Sequence, residues 1–142
     1  MNRLVRDAGE AAGRERGGAE LLERELPRPG AALGRYLAGQ AAVAVLGEVD
    51  RAPVGVALAA LETLDSGRPL ARVEMLYVEP EAREVGLGDS IMGFVARWAA
   101  EAGAGGIDAV VLPGMREMKN FLESAGFVAR LIVMHRSASS AR

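Results

Sequence analysis

The sequence predicts a mixed α/β (α+β) domain with a mostly antiparallel central sheet flanked by helices, and three observations predict it. Valine-bearing apolar runs of strand length, Ala41 to Val49, Pro53 to Leu61 and Leu70 to Val78, are separated by short polar turns, as in an antiparallel meander. Beyond them, Ile91, Met92, Val95, Trp98, Ala99 and Ala102 recur at helical spacing, and so do Met115, Met118, Leu122 and Ala125. Strand runs joined through such helices imply a mixed sheet. Finally, the glycine-bearing stretch Arg83-Glu84-Val85-Gly86-Leu87-Gly88 stands between the third strand run and the first of these helices.

Taken in order, Leu4-Val5 reads as a short first strand and Ala8 to Leu26 as a helix, weakened by Gly9, Gly13, Gly17 and Gly18 and broken by Pro27 and Pro29. Ala31 to Ala38 gives a second short helix carrying Leu33, Tyr36 and Leu37. Asp50-Arg51 joins the first two long strands as a hairpin, and Asp65-Ser66-Gly67-Arg68-Pro69 turns the chain into Leu70 to Val78. The helix from Asp89 ends at Gly103 to Gly106. Ile107 to Leu112, apolar apart from Asp108, reads as a strand buried on both faces over most of its length. The helix Met115 to Ala125 is stopped by Gly126. Val128 to Met134 is the final strand and Ser137 to Arg142 a frayed tail. No internal repeat is evident, and residues 1–142 read as one domain.

Composition removes several function classes. Half of the 142 residues are hydrophobic and a quarter charged, ordinary for a globular chain. A net charge of -2 without a Lys/Arg cluster argues against a nucleic-acid footprint. Cysteine is absent, which excludes a disulfide framework, a thiolate nucleophile and a Cys-ligated metal. With His135 the single histidine, a zinc site would be nearly all carboxylate, so no metal is expected. Apolar stretches such as Ala52 to Leu61 fall far short of the roughly 18 residues of a membrane helix. The start lacks the apolar core of a signal peptide, and a cytoplasmic location is the expectation.

Strand, glycine turn and helix is the arrangement that cradles a pyrophosphate. Glycines let backbone N–H groups approach phosphate oxygens, and the helix start adds unpaired donors and the positive end of its dipole. In this setting Arg83 to Gly88 resembles the signature Q/R-x-x-G-x-G/A of the GNAT superfamily of acyl-CoA-dependent N-acetyltransferases. Two further blocks match in order: Leu76-Tyr77-Val78-Glu79-Pro80-Glu81-Ala82-Arg83 resembles the family's strand and its exit, and Asn120-Phe121-Leu122-Glu123-Ser124-Ala125-Gly126-Phe127 the end of its last helix. The resemblance covers most of Ala41 to Arg136 and only weakly Met1 to Gln40, the helical region that in the family shapes the acceptor site.

The resemblance implies a sheet splayed at its central strands, where backbone atoms of Leu76 and Val78, with Tyr77 between them, receive the amide-rich arm of acetyl-CoA as though it were another strand. It places the pyrophosphate on the N–H groups of Val85 to Asp89, with Ser90 next in the helix, Arg83 supplying positive charge or fixing the loop, and Asn120 helping from the later helix. Glu84 and Asp89 depart from that pattern, because a carboxylate competes with a bound anion. Arg116 and Lys119 on the same helix either help the phosphate end or the arm or form a solvated helix face, and the solvated face is the preferred reading. Acyl transfer to an amine needs a base, and the resemblance makes Glu74 the candidate. Strand alternation groups Glu74 with Leu70, Arg72, Leu76 and Val78 and sets Val73, Met75 and Tyr77 on the other face. A solvent-facing Glu74 beside Arg72 is the competing reading, and Glu79 and Glu62 are weaker alternatives. Leu122 stands where the family often has a Tyr that protonates the departing sulfur, and a thiol pKa of about 8.5 makes thiolate a tolerable leaving group without it. His135 reads as a structural strand-end residue, with orienting a substrate or acting as a base the alternative.

The expected function is therefore transfer of acetyl from acetyl-CoA directly to a primary amine, on a small molecule or a peptide. A non-catalytic acyl-CoA-binding or regulatory module on the same fold is the rival. The family commonly has two strands after Gly126-Phe127, whereas only Val128 to Arg136 remains here. An uncovered sheet edge invites pairing with another chain, so a homodimer through that edge is expected.

Overall fold

The computed structural model describes residues 1–25, 34–39 and 41–139. The chain opens with α1 (Asn2–Gly13), not with a strand. Leu4, Val5, Ala8 and Ala12 lie on one buried helical stripe, which absorbs the expected Leu4-Val5 strand into the helix. The single helix expected from Ala8 to Leu26 breaks into α1, the short α2 (Gly18–Glu20) and a π-helical turn at Leu21–Glu25, because Gly17 takes a left-handed conformation between them. Leu26, Pro27, Pro29, Ala31 and Leu33 lie outside the described residues. The second expected helix is represented by α3 (Gly34–Ala38).

Among the described residues, four strands follow in the order β1-β2-β3-β4. β1 (Ala42–Val49), β2 (Ala52–Thr63) and β3 (Pro69–Val78) form the antiparallel meander, and β4 (Ile107–Ala109) joins β3 in parallel after α4 (Leu87–Glu101) has crossed over. Side chains of β2 point alternately into two layers. Val56, Leu58 and Ala60 meet Leu4, Val5, Ala8 and Tyr36, while Ala57 and Ala59 meet Ile91, Met92 and Val95 of α4 and Leu122 of α5 (Arg116–Ser124). That double burial is why β2 reads as a continuous apolar run rather than an alternating one.

Alternation fails in β3, and the cause is a β-bulge. The pairing of β2 with β3 passes from Leu58↔Met75 to Ala59↔Val73, which leaves Glu74 without a ladder partner. Val73, Leu76 and Val78 therefore pack in the α4 layer, and Met75 and Tyr77 in the α1 layer. The expected grouping of Val73 with Met75 and Tyr77 is corrected, because one extra residue inverts the side-chain phase.

Two later expectations also change. β4 covers three residues instead of running to Leu112, and it is half-buried because its outer edge carries no strand among the described residues. Val128 to Met134 forms no strand: it has no ladder partner among the described residues, and its large side chains are exposed. Asp65 to Arg68 make the expected turn, and an unforeseen 3₁₀ helix, Pro80–Val85, links β3 to α4. Pro80 suits its start, where a missing N–H leaves no bond unmade. The first turn of α4 is seated by Gly47 of β1, where a Cβ would come within 2.8 Å of both Leu87 and Ile91 side chains.

Candidate functional site

The β3–β4 ladder comprises Ala71↔Ile107, Arg72↔Asp108 and Val73↔Ala109, and stops there. β3 continues five residues further, to Val78, so the two strands part at the bulge. A cleft of about 750 Å³ occupies the splay, within the usual range for ligand sites. One wall is Glu74 to Val78; the opposite wall is Val110, Gly114 and Met115; Met118 and Phe121 of α5 and Ala8, Ala12 and Glu15 of the N-terminal region complete it. Arg83, Glu84, Gly86, Gly88 and Asp89 line the end where α4 begins.

Gly86 is the residue that lets the loop meet the helix. Its φ of 76° is left-handed, a conformation a side chain disfavours, and it stands immediately before Leu87, the first residue of α4. No side chain caps this helix start among the described residues. The first-turn N–H groups are thus available to an anion, and the helix dipole adds to their pull. Asp89 sits in that first turn without making a cap bond, exposed at the cleft.

Arg83 reaches back and across. Its Nε donates to the Val78 carbonyl at 2.9 Å, and its Nη1 donates to Glu117 Oε2 of α5 at 2.7 Å. The first bond ties the loop to the end of β3; the second places an internal carboxylate where an external anion would meet the guanidinium. Among the described residues, five acids, Glu15, Glu74, Glu84, Asp89 and Glu117, line the cleft against the single base Arg83.

The bulge aims Glu74 at α3. Tyr36 Oη donates to Glu74 Oε2, and Arg35 Nη2 donates to the same oxygen at 2.5 Å and to Tyr36 Oη at 2.5 Å. The Arg35 guanidinium also stands 4.7 Å from the centre of the Tyr36 ring. Tyr36 is buried and the Glu74 side chain is 14% exposed, so the carboxylate is fixed at the cleft wall. Tyr77, also on the cleft, has its phenol pushed above the ordinary tyrosine range, chiefly by burial and then by the Asp7 carboxylate. It stays protonated near neutral pH.

Among the residues expected to bind cofactor, Leu76, Tyr77, Val78, Arg83, Glu84, Gly86, Gly88 and Asp89 gather around one cleft together with Glu74. Val85, Leu87, Ser90 and Asn120 are not on its wall. Val85 is exposed and Leu87 packs into the α4 layer. Ser90 Oγ donates to the Gly86 carbonyl at 3.3 Å, and the Asn120 carbonyl accepts from Ser124 Oγ at 2.9 Å. Glu79 pairs with Arg3, and Glu62 pairs with Arg72 at 3.3 Å; neither lines the cleft. Leu122 is buried in the α4 layer. His135 lies exposed, 3.4 Å from Glu20. Lys119 pairs with Glu123 at 2.6 Å, as a solvated helix face does.

Sequence reasoning missed Glu117, Glu15 and the Arg35-Tyr36 pair. Glu117 and Phe121 are four apart on α5, beside the stripe of Met118 and Leu122, and that spacing alone would have put Glu117 on the cleft flank. No metal-holding cluster of His, Asp and Glu occurs among the described residues, and none of their helices is long and apolar enough to cross a membrane.

Residues 11–127 match the family described as acetyltransferase (GNAT). A comparison with curated proteins finds no match. Among solved structures, a mutant of the BH1408 protein from Bacillus halodurans aligns with a TM-score of 0.78 at 20% identity, over 95% of this chain and 89% of that one. An aminoglycoside acetyltransferase, HMB0005, from an uncultured soil metagenomic sample gives 0.71 at 19% identity, over 96% and 88%. AAC(6')-Iy in complex with the bisubstrate analogue CoA-S-monomethyl-acetylneamine gives 0.63 at 19% identity, over 73% and 74%. At these identities the likeness is one of fold.

Proposed function

The chain belongs to the acetyltransferase (GNAT) family, and from that premise we propose that this acyltransferase moves an acetyl group from acetyl-CoA directly to a primary amine in the β3–β4 cleft. The observation that carries the reading is the convergence on one cleft of an open strand edge, an uncapped helix start behind Gly86 and a fixed carboxylate, Glu74. In this reading the amide-rich arm of the cofactor lies along Leu76 to Val78, and its pyrophosphate meets the N–H groups of Gly86 to Asp89. Arg83 stands beside that position. Glu74 takes a proton from the acceptor amine, directly or through water, as nitrogen attacks the thioester carbonyl. The C–N bond forms, the C–S bond breaks, and CoA departs as thiolate, which is tolerable at a thiol pKa of about 8.5. Leu122 supplies no proton for it.

Acids on the cleft suit a cationic acceptor, and a small-molecule amine fits this electrostatics. Aminoglycoside acetyltransferases among the proteins of like fold support that class of acceptor. The same reading takes the protein to act in the cytoplasm, as a homodimer, without nucleic acid or metal. Assaying CoA release over a panel of amines, with calorimetry of acetyl-CoA binding, tests it: turnover on at least one amine is expected. Binding without turnover on any amine points to the non-catalytic module, which the Arg83–Glu117 pair favours by engaging a cation of the cleft wall. Absence of binding refutes both readings.

A further inference from the structure

Glu74 sits where the sheet does not orient it. The bulge leaves it without a ladder partner on β2, so the direction of its side chain is set by what that side chain meets, which is α3. α3 has five residues, too few to hold a helix unaided, and Tyr36 seats it by packing among Leu4, Val5, Val56 and Leu58. The phenol therefore arrives at Glu74 on a buried stem. Arg35, its neighbour on α3, has a side chain 54% exposed.

The three polar groups close a triangle. Arg35 Nη2 donates to Tyr36 Oη and to Glu74 Oε2, each at 2.5 Å, and Tyr36 Oη donates to the same Oε2. A hydroxyl hydrogen turns about its C–O bond, and what the oxygen accepts decides where that hydrogen points. Because Tyr36 Oη accepts from Arg35, its own hydrogen is left for Oε2. Both donors thus converge on one carboxylate oxygen, and Oε1 accepts from no donor among the described residues. Glu74 lines the cleft, whereas Arg35 and Tyr36 are not on its wall. We propose that Arg35 is a positioning residue: it directs the Tyr36 hydroxyl and clamps Oε2, so that Oε1 is the atom presented to the acceptor amine. This rests on the reading of Glu74 as the base.

Arg35→Ala, Arg35→Lys and Glu74→Gln, assayed on an amine that the wild-type protein acetylates, test it. Misplacing a reacting group by about 1 Å costs about 10²-fold in rate, so Arg35→Ala should lower kcat by up to about 10²-fold with the KM for the amine little changed. Arg35→Lys, whose ammonium has donors for both oxygens, should keep more of kcat than Arg35→Ala does. Arg35 also lines a hollow of about 370 Å³ with Ala42, Ala60 and Leu61, so added guanidinium ion, far below denaturing concentrations, should enter the space left in Arg35→Ala and restore part of kcat. In the Glu74→Gln background, Arg35→Ala should change kcat no further, because a positioning residue acts through the group it places. In a crystal structure of Arg35→Ala, the Glu74 carboxylate should have left its place or taken a second conformer. Wild-type kcat in Arg35→Ala beside a loss in Glu74→Gln overturns the positioning role and leaves the base standing, and so does a further loss from Arg35→Ala in the Glu74→Gln background. An unchanged pH–rate profile in Glu74→Gln removes the base and this role with it. An unmoved Glu74 in the Arg35→Ala crystal structure overturns the role whether or not any amine is turned over.

Discussion

Replacing Glu117 by glutamine should tighten CoA binding, although the residue lies on the wall of the cleft. Glu117 Oε2 accepts from Arg83 Nη1 at 2.7 Å, and the two side chains are 81% and 43% exposed. A pyrophosphate that recruits Arg83 must first displace this carboxylate. Ion pairs so open to solvent contribute about 0.2–1 kcal/mol, so freeing Arg83 should lower the Kd for CoA about 1.4- to 5-fold. The amide keeps the shape of the side chain and removes only its charge. Calorimetry at low and at high salt is the assay, and the gain should shrink with salt because screening already weakens the competitor. Glu123→Gln is the control, removing the same charge from the same helix where it pairs with Lys119 instead. Equal or weaker affinity in Glu117→Gln, or the same gain in Glu123→Gln, would refute the idea that Arg83 is held back by its own helix partner.

Glu74→Gln should reduce kcat by about 10²- to 10⁴-fold and flatten the pH–rate profile, the span of general-base catalysis; an unchanged profile removes Glu74 from the role. Tyr36→Phe deletes a donor to Glu74 Oε2 while keeping the ring, and should lower kcat less than Glu74→Gln does under the same assay. Gly86→Ala forces a side chain into a left-handed residue and should cost about 1–2 kcal/mol in a denaturant titration. Leu58→Ala, at a fully buried position, should cost about 2–5 kcal/mol by the same measurement. Asp108 is held below the usual carboxylate range, chiefly by the hydrogen bond from Arg130, with burial opposing. Its contribution is fully present above the ordinary Asp value of about 3.9 and is lost as pH falls through the lower folded value. Limited proteolysis should therefore cut the segment Val128 to Met134 faster only in that acidic window. Asp108→Asn should be cut faster at neutral pH too, without further change on acidification.

The order of elements from Ala41 to Ala125 was legible because each signal there is local: valine runs of strand length, polar turns and helical stripes lie on contiguous residues. The N-terminal region was less so. Leu4-Val5 suits either a strand or a helix stripe, and only packing of Leu4, Val5, Ala8 and Ala12 against β2 and Met75 or Leu21 selects the helix. Val128 to Met134 misled for the opposite reason. Its side chains prefer a strand, but a strand needs a neighbouring edge at hydrogen-bonding distance, and this segment has none among the described residues.

By itself, then, the sequence determined the mixed sheet and the loop that hands β3 on to α4, since glycine placement and hydrophobic period act over a few residues. The tertiary structure alone decided what faces the cleft. One bulge residue turns Glu74 towards Tyr36 and Arg35, and the approach of α5 gives Arg83 the partner Glu117. Both depend on strand register and helix docking between residues dozens apart, which no local pattern encodes.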